Sequence, residues 1–221
     1  MFRIFIVILV LIMPAYGHAE VACKPQPAGK VNVIWGSDNI QYDFTKSQSQ
    51  MDRMDNDTVN PYGNHAKTHV GGLMKGGISI SSNIKTATLS YPRSRQTCQW
   101  IGEMTLNIRI DPKIYIARQH KKGSCRHNAI LEHEMKHVFV DREVVKRYVP
   151  QFKKALEKGV RKVGIVGPKP SSQTLKYQNK ISDYMEGEMK KVADKMYAER
   201  SKRQAAVDTL KEYERVAAMC R

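Results

Sequence analysis

The sequence predicts an α+β fold: a small antiparallel sheet, then a motif-bearing helix and a long C-terminal helix that pair as a helical hairpin. Three observations predict it. Met104, Leu106, Ile108 and Ile110 alternate with Thr105, Asn107 and Arg109, the period-two signature of a strand with one buried face. From Asn128 no glycine appears until Gly159. Beyond the breakers Gly164, Gly167, Pro168 and Pro170, the residues Ile181, Met185, Met189, Val192, Met196, Val207 and Leu210 recur at near-helical spacing.

In chain order, the first element is a leader. Arg3 precedes an apolar run from Ile4 to Met13, and small residues at Gly17 and Ala19 come before Glu20. This is the pattern of a signal peptide over residues 1–19, cleaved after Ala19. The run falls short of the ~20 apolar residues a spanning helix needs, and nothing later is long and apolar enough to span. Glu20 also argues against lipid attachment at Cys23. The mature chain, residues 20–221, is therefore expected to be one exported domain, periplasmic or secreted, and not an integral membrane protein.

Residues 31–117 read as β-rich. Weaker alternation at Ile78 and Ile80, at Thr86 and Thr88, and at Ile114 and Ile116 suggests three to five strands, with turns such as Asp111-Pro112. No long crossover separates them, which favours antiparallel pairing. The polar stretch from about Asp43 to Thr68 reads as loop. Gly71, Gly72, Gly76 and Gly77 lack the order of a phosphate-binding loop and read as a turn between strands.

The helical region covers residues 126–219. Ser124 or Asn128 can cap its start, and Pro150 is placed to kink or end the first helix. The second helix is expected from about Ser172 to Met219, with a weak point at Gly187, and its methionine stripe reads as core.

Cys23, Cys98, Cys125 and Cys220 all follow the leader, and an even number in an oxidising compartment favours two disulfides. Three pairings are open. No C-x-x-C pair offers a thiolate metal cage. Lys and Arg number 37 against 21 Asp and Glu, and the resulting +16 gives a positive potential that attracts polyanions. No nucleic-acid module accompanies it, so anionic cell-envelope polymers are the expected partners rather than a specific nucleic acid.

Leu131-Glu132-His133-Glu134-Met135-Lys136-His137-Val138 contains H-E-x-x-H. Residues four apart on a helix share a face, so His133 and His137 can offer imidazole nitrogens to one ion. Glu134 lies about 100° around the helix, beside that ion without having to bind it. Zinc lowers the pKa of a bound water toward about 7, and a nearby carboxylate can then act as general base. Glu134 is the candidate. Ile130, Val144, Val145 and Tyr148 continue the histidine face as an apolar stripe, so the pair should be buried; the competing reading is two hydrogen-bonded core histidines.

The third ligand stays unassigned. Asp141 is about 12 Å along the helix from His133, too far to share its ion, and reads as a partner orienting an imidazole or as a surface acid beside Arg142. If the second helix folds back antiparallel, Glu199, Asp208 and Glu212 fall in the facing zone. His65 and His69, in the polar stretch, are outside candidates.

The motif resembles the zinc-binding helix of the zincin metallopeptidases. The Cys-led strand from Cys98 to Ile110, the motif helix, and the Arg- and Gln-rich C-terminal helix ending near Val207-Asp208-Thr209 are together similar to an uncharacterised family of secreted bacterial zinc-dependent proteases. The resemblance covers about residues 76 to 219 and implies zinc on His133 and His137 with catalysis by Glu134. Val140, where a glycine would stand, departs from the metzincin branch. The expectation is thus a secreted zinc-dependent peptidase acting on peptide or protein. The alternative is a noncatalytic basic protein that binds the cell envelope.

Overall fold

A computed structural model describes residues 22–24, 26–54 and 69–220. The leader, His65 and the later part of the polar stretch lie outside the described residues. Strands β1 (Lys30–Ser37), β2 (Gln41–Asp43), β3 (Gly72–Lys75), β4 (Ile78–Tyr91), β5 (Gln96–Ile110), β6 (Lys113–Ile116) and β7 (Ile165–Pro170) are joined by helices α1 (Gln48–Met51), α2 (Cys125–Val163), α3 (Thr174–Ala205) and α4 (Leu210–Ala218). The α+β class holds.

The strands form two sheets in the same spatial order, β1-β5-β4 and β2-β6-β3. Each sheet continues the other across short breaks at 38–40, 76–77 and 111–112, so together they make one bent ribbon. At the bend Gly76 adopts φ 147°, and a Cβ there would lie 2.4 Å from the Asp111 carbonyl oxygen. Only glycine fits. The expected antiparallel pairing holds for β4 and β7 against β5 and for β3 against β6, whereas β1 and β2 join in parallel. Their partners come much later in the chain, after the β3–β4 excursion, so local alternation could not reveal the direction. The breaker cluster is itself strand β7; its prolines are tolerated because it pairs on one side only, with β5.

Within the stretch read as loop, α1 forms around a capping box. The Ser47 side chain accepts from the Gln50 N–H while Gln50 reaches back to the Ser47 N–H. Met51 is thereby buried against Leu73 and Ala117.

One face of β5 carries Met104, Leu106, Ile108 and Ile110, all buried, against Val144, Val145, Phe152 and Leu156 of α2 and Ile181, Met185 and Met196 of α3. The methionine stripe is core. Helix α2 runs unbroken through Pro150, and α3 through Gly187. Apolar contact along their whole length outweighs one missing backbone bond and one flexible residue. Contacts between α2 and α3 pair Tyr148 with Lys195, Asp141 with Arg200, and His137 with Gln204. Numbers falling on one helix as they rise on the other mark an antiparallel hairpin.

Disulfides link Cys23 to Cys98 and Cys125 to Cys220. No helix among the described residues is long and apolar enough to cross a membrane. Both features are compatible with an exported protein.

Candidate metal centre

Ser124 caps α2 by accepting from the His127 N–H, which starts the helix eight residues before the motif. His133, Glu134 and His137 are all buried, at 7%, 5% and 8% exposure. The two imidazoles meet edge to face with centroids 5.1 Å apart. Both Nε2 atoms face the chain just beyond α3.

The single C-terminal helix expected from 172 to 219 is two helices. α3 stops at Ala205, and Thr209 starts α4 by accepting from the Glu212 N–H. Asp208 stands in the turn between them. Its Oδ1 lies 3.2 Å from His133 Nε2 and 3.2 Å from His137 Nε2. Ligand atoms about 2.0–2.1 Å from a tetrahedral ion sit about 3.3 Å apart, so the spacing fits. One ligand atom from each of the three residues falls within 4.8 Å of the others, and the group could hold a metal ion. A fourth corner then remains for water or substrate.

The other expected candidates have different partners. Glu199 pairs with Arg147 at 3.0 Å, and His69 with Asp52 at 2.8 Å in an exposed contact. Glu212 supports rather than joins the trio: its Oε1 is 3.3 Å from His133 Nδ1 and is also bound by Lys136 at 2.6 Å and Arg215 at 2.8 Å. Asp141 is not paired with Arg142, which donates instead to Ser37 Oγ. It receives Arg200 through two bonds and Gln204 through a third, and Gln204 touches His137.

Glu134 sits between the histidines and strand β3. The Met74 backbone amide lies on its carboxylate side and acts, weakly, to favour the ionised form. Gly72 makes room for it, since a Cβ there would come within 2.6 Å of Glu134 Oε1 and 2.3 Å of Ile130 Cγ2. Burial pushes the Glu134 carboxyl above its ordinary pKa, with the neighbouring imidazoles opposing. Burial acts to lower His133 and His137, but hydrogen bonds to Asp208 and the charge of Glu134 leave both raised. Burial would raise Asp208, yet its bonds to both histidines hold it at about 2. Each of these shifts favours positive charge beside the carboxylates, which a divalent cation would also supply.

Sequence reasoning left Asp208 among five candidates, read Gly72 as a turn glycine although it begins strand β3, and missed Gln204. One signal was available for Asp208. Thr209-x-x-Glu212 has the form of a helix start, and it divides the helical stretch directly after the aspartate. Comparisons of the chain with protein-family models, with curated proteins and with solved structures find no match.

Proposed function

We propose that this chain is an exported zinc-dependent hydrolase of the zincin type, acting on amide bonds of peptides or proteins. The observation that carries it is the meeting of His133 Nε2, His137 Nε2 and Asp208 Oδ1 beside a buried Glu134. Two imidazoles and one carboxylate, with an open fourth corner, are a donor set that suits catalytic zinc. Zinc bound there would polarise a carbonyl and lower the pKa of water toward about 7. Glu134, buried against Gly72 of β3, takes the proton of the attacking water and returns it to the leaving amine nitrogen.

Purified mature protein is expected to hold about one zinc per chain. Glu134→Gln should keep the metal and abolish hydrolysis across a peptide library. A folded protein that takes up no zinc overturns the proposal. One observation favours a second reading: His133, Glu134 and His137 are all less than a tenth exposed, with α4 residues Glu212 and Tyr213 against His133. A noncatalytic envelope-binding protein with structural zinc would be metal-loaded, inactive on every peptide, and retained on anionic polymer through its basic surface.

A further inference from the structure

Resting on the reading of this site as a metal centre, we propose that Gln204, held by Asp141 and Arg200, is a positioning residue. It fixes the tautomer of His137 and so turns the lone pair of Nε2 toward the metal.

Asp141 is 1% exposed, and its carboxylate oxygens serve as acceptors for the Arg200 guanidinium. Arg200 donates to it from Nε at 2.7 Å and Nη2 at 3.1 Å. Gln204 lies 2.6 Å from the same Oδ1 and therefore must present its amide nitrogen there. That nitrogen also donates to the His137 backbone carbonyl at 3.1 Å. Turning the amide over would set its oxygen against two acceptors, so its orientation is decided by chemistry.

The other end of the amide is then Oε1, 2.6 Å from His137 Nδ1. An amide oxygen only accepts, so Nδ1 carries the hydrogen. A metal-binding imidazole is neutral and has one N–H, so with Nδ1 as the donor the lone pair of Nε2 is the one left for an ion held at the Asp208 corner. Asp141 comes four residues after His137, which stacks both on one face of α2 where a single amide on α3 can reach them together.

His133 is oriented differently. Its Nδ1 faces Glu212 at 3.3 Å, a carboxylate already engaged by Lys136 and Arg215. The contact from Gln204 is shorter and its amide is held by two further bonds, so His137 is the more firmly set of the two ligands.

The test is metal binding by the metal-depleted full chain, with zinc affinity read by chelator competition and ligand geometry by the visible absorption of bound Co²⁺. Gln204→Met keeps the length of the side chain and removes the acceptor. It should weaken the zinc Kd by about 10–100-fold and change the cobalt spectrum, with helix content and unfolding midpoint close to the parent. Gln204→Glu can share a proton with Asp141 while keeping an acceptor on Nδ1, and should return the Kd to within about threefold of the parent. If Gln204→Met does not fold, Gln204→Asn withdraws the acceptor by one methylene and should show the same loss. Parental Kd and cobalt spectrum in Gln204→Met, or equal losses in the Met and Glu variants, overturn the positioning role alone. A folded parent chain that binds no zinc overturns the metal centre itself, a different result.

Discussion

At the scale of single residues, Gly72 matters through the side chain it lacks. Strand β3 passes so close to Glu134 that a methyl group would press on both the carboxylate and Ile130. A displacement near 1 Å at a reacting group can cost about 10²-fold in rate. Gly72→Ala is therefore expected to lower kcat by about that factor while zinc content, measured by atomic absorption, stays unchanged. Loss of metal together with activity would instead mean that β3 holds the histidines. Acid should act through Asp208 and Glu212, both held at about 2, Asp208 chiefly by its two histidines against the opposing effect of burial and Glu212 chiefly by Arg215. Because these folded values lie below the ordinary 3.8 and 4.5, the stability they contribute is present above about pH 4.5 and is lost as pH falls toward 2. Urea unfolding of the metal-free protein across that window should show the decline, and Glu212→Gln should flatten it.

At the scale of elements, α4 forms part of the wall of the site. Glu212 and Tyr213 lie against His133, Val216 packs on the cluster of Ile114, Ile130 and Val138, and Arg126 bonds the Val216 carbonyl. Cys220, two residues beyond α4, is tied to Cys125 at the start of α2, so the disulfide clamps the wall across the helix it covers. Closing a loop with a sequence separation of 95 limits the unfolded chain by about 4–5 kcal/mol. The double variant Cys125→Ser with Cys220→Ser should lose stability on that order and release zinc faster to a chelator. Removing the Cys23–Cys98 bridge, which ties Cys23 to β5 rather than to α4, should lower stability without speeding release. Legibility in the sequence divides along the same line. His133, Glu134 and His137 were readable because one helix turn fixes their geometry, and the β5 strand because every second residue is buried. Asp208 was not singled out because its place depends on α3 ending at Ala205, and the apolar spacing of Val207 and Leu210 runs through that break. Gln204 and Gly72 carry no charge and no pattern; only the packing of α3 on α2 and of β3 on Glu134 gives them a role.

At the scale of the whole molecule, the net charge of +16 is unevenly placed. From Lys146 to Lys191 there are twelve Lys and Arg against four Asp and Glu, so the far half of the hairpin carries half of that charge. Helical rise sets Lys146 to Val163 roughly 20 to 45 Å along α2 from His133. An anionic polymer held there would leave the metal centre free, and attachment and chemistry can be separated by mutation. The field of such a surface reaches about 10 Å at 0.1 M salt and about 3 Å at 1 M. Retention on an anionic polysaccharide column is therefore expected at low ionic strength and should be lost by 1 M. Reversing the exposed Lys153, Lys154 and Lys158 to Glu should shift elution to clearly lower salt. Their side chains lie outside the α2–α3 core, so zinc content and unfolding midpoint should remain those of the parent. Unchanged elution of that triple variant would place the attachment on another face; elution that moves together with a loss of zinc would mean that the two ends of the hairpin are coupled.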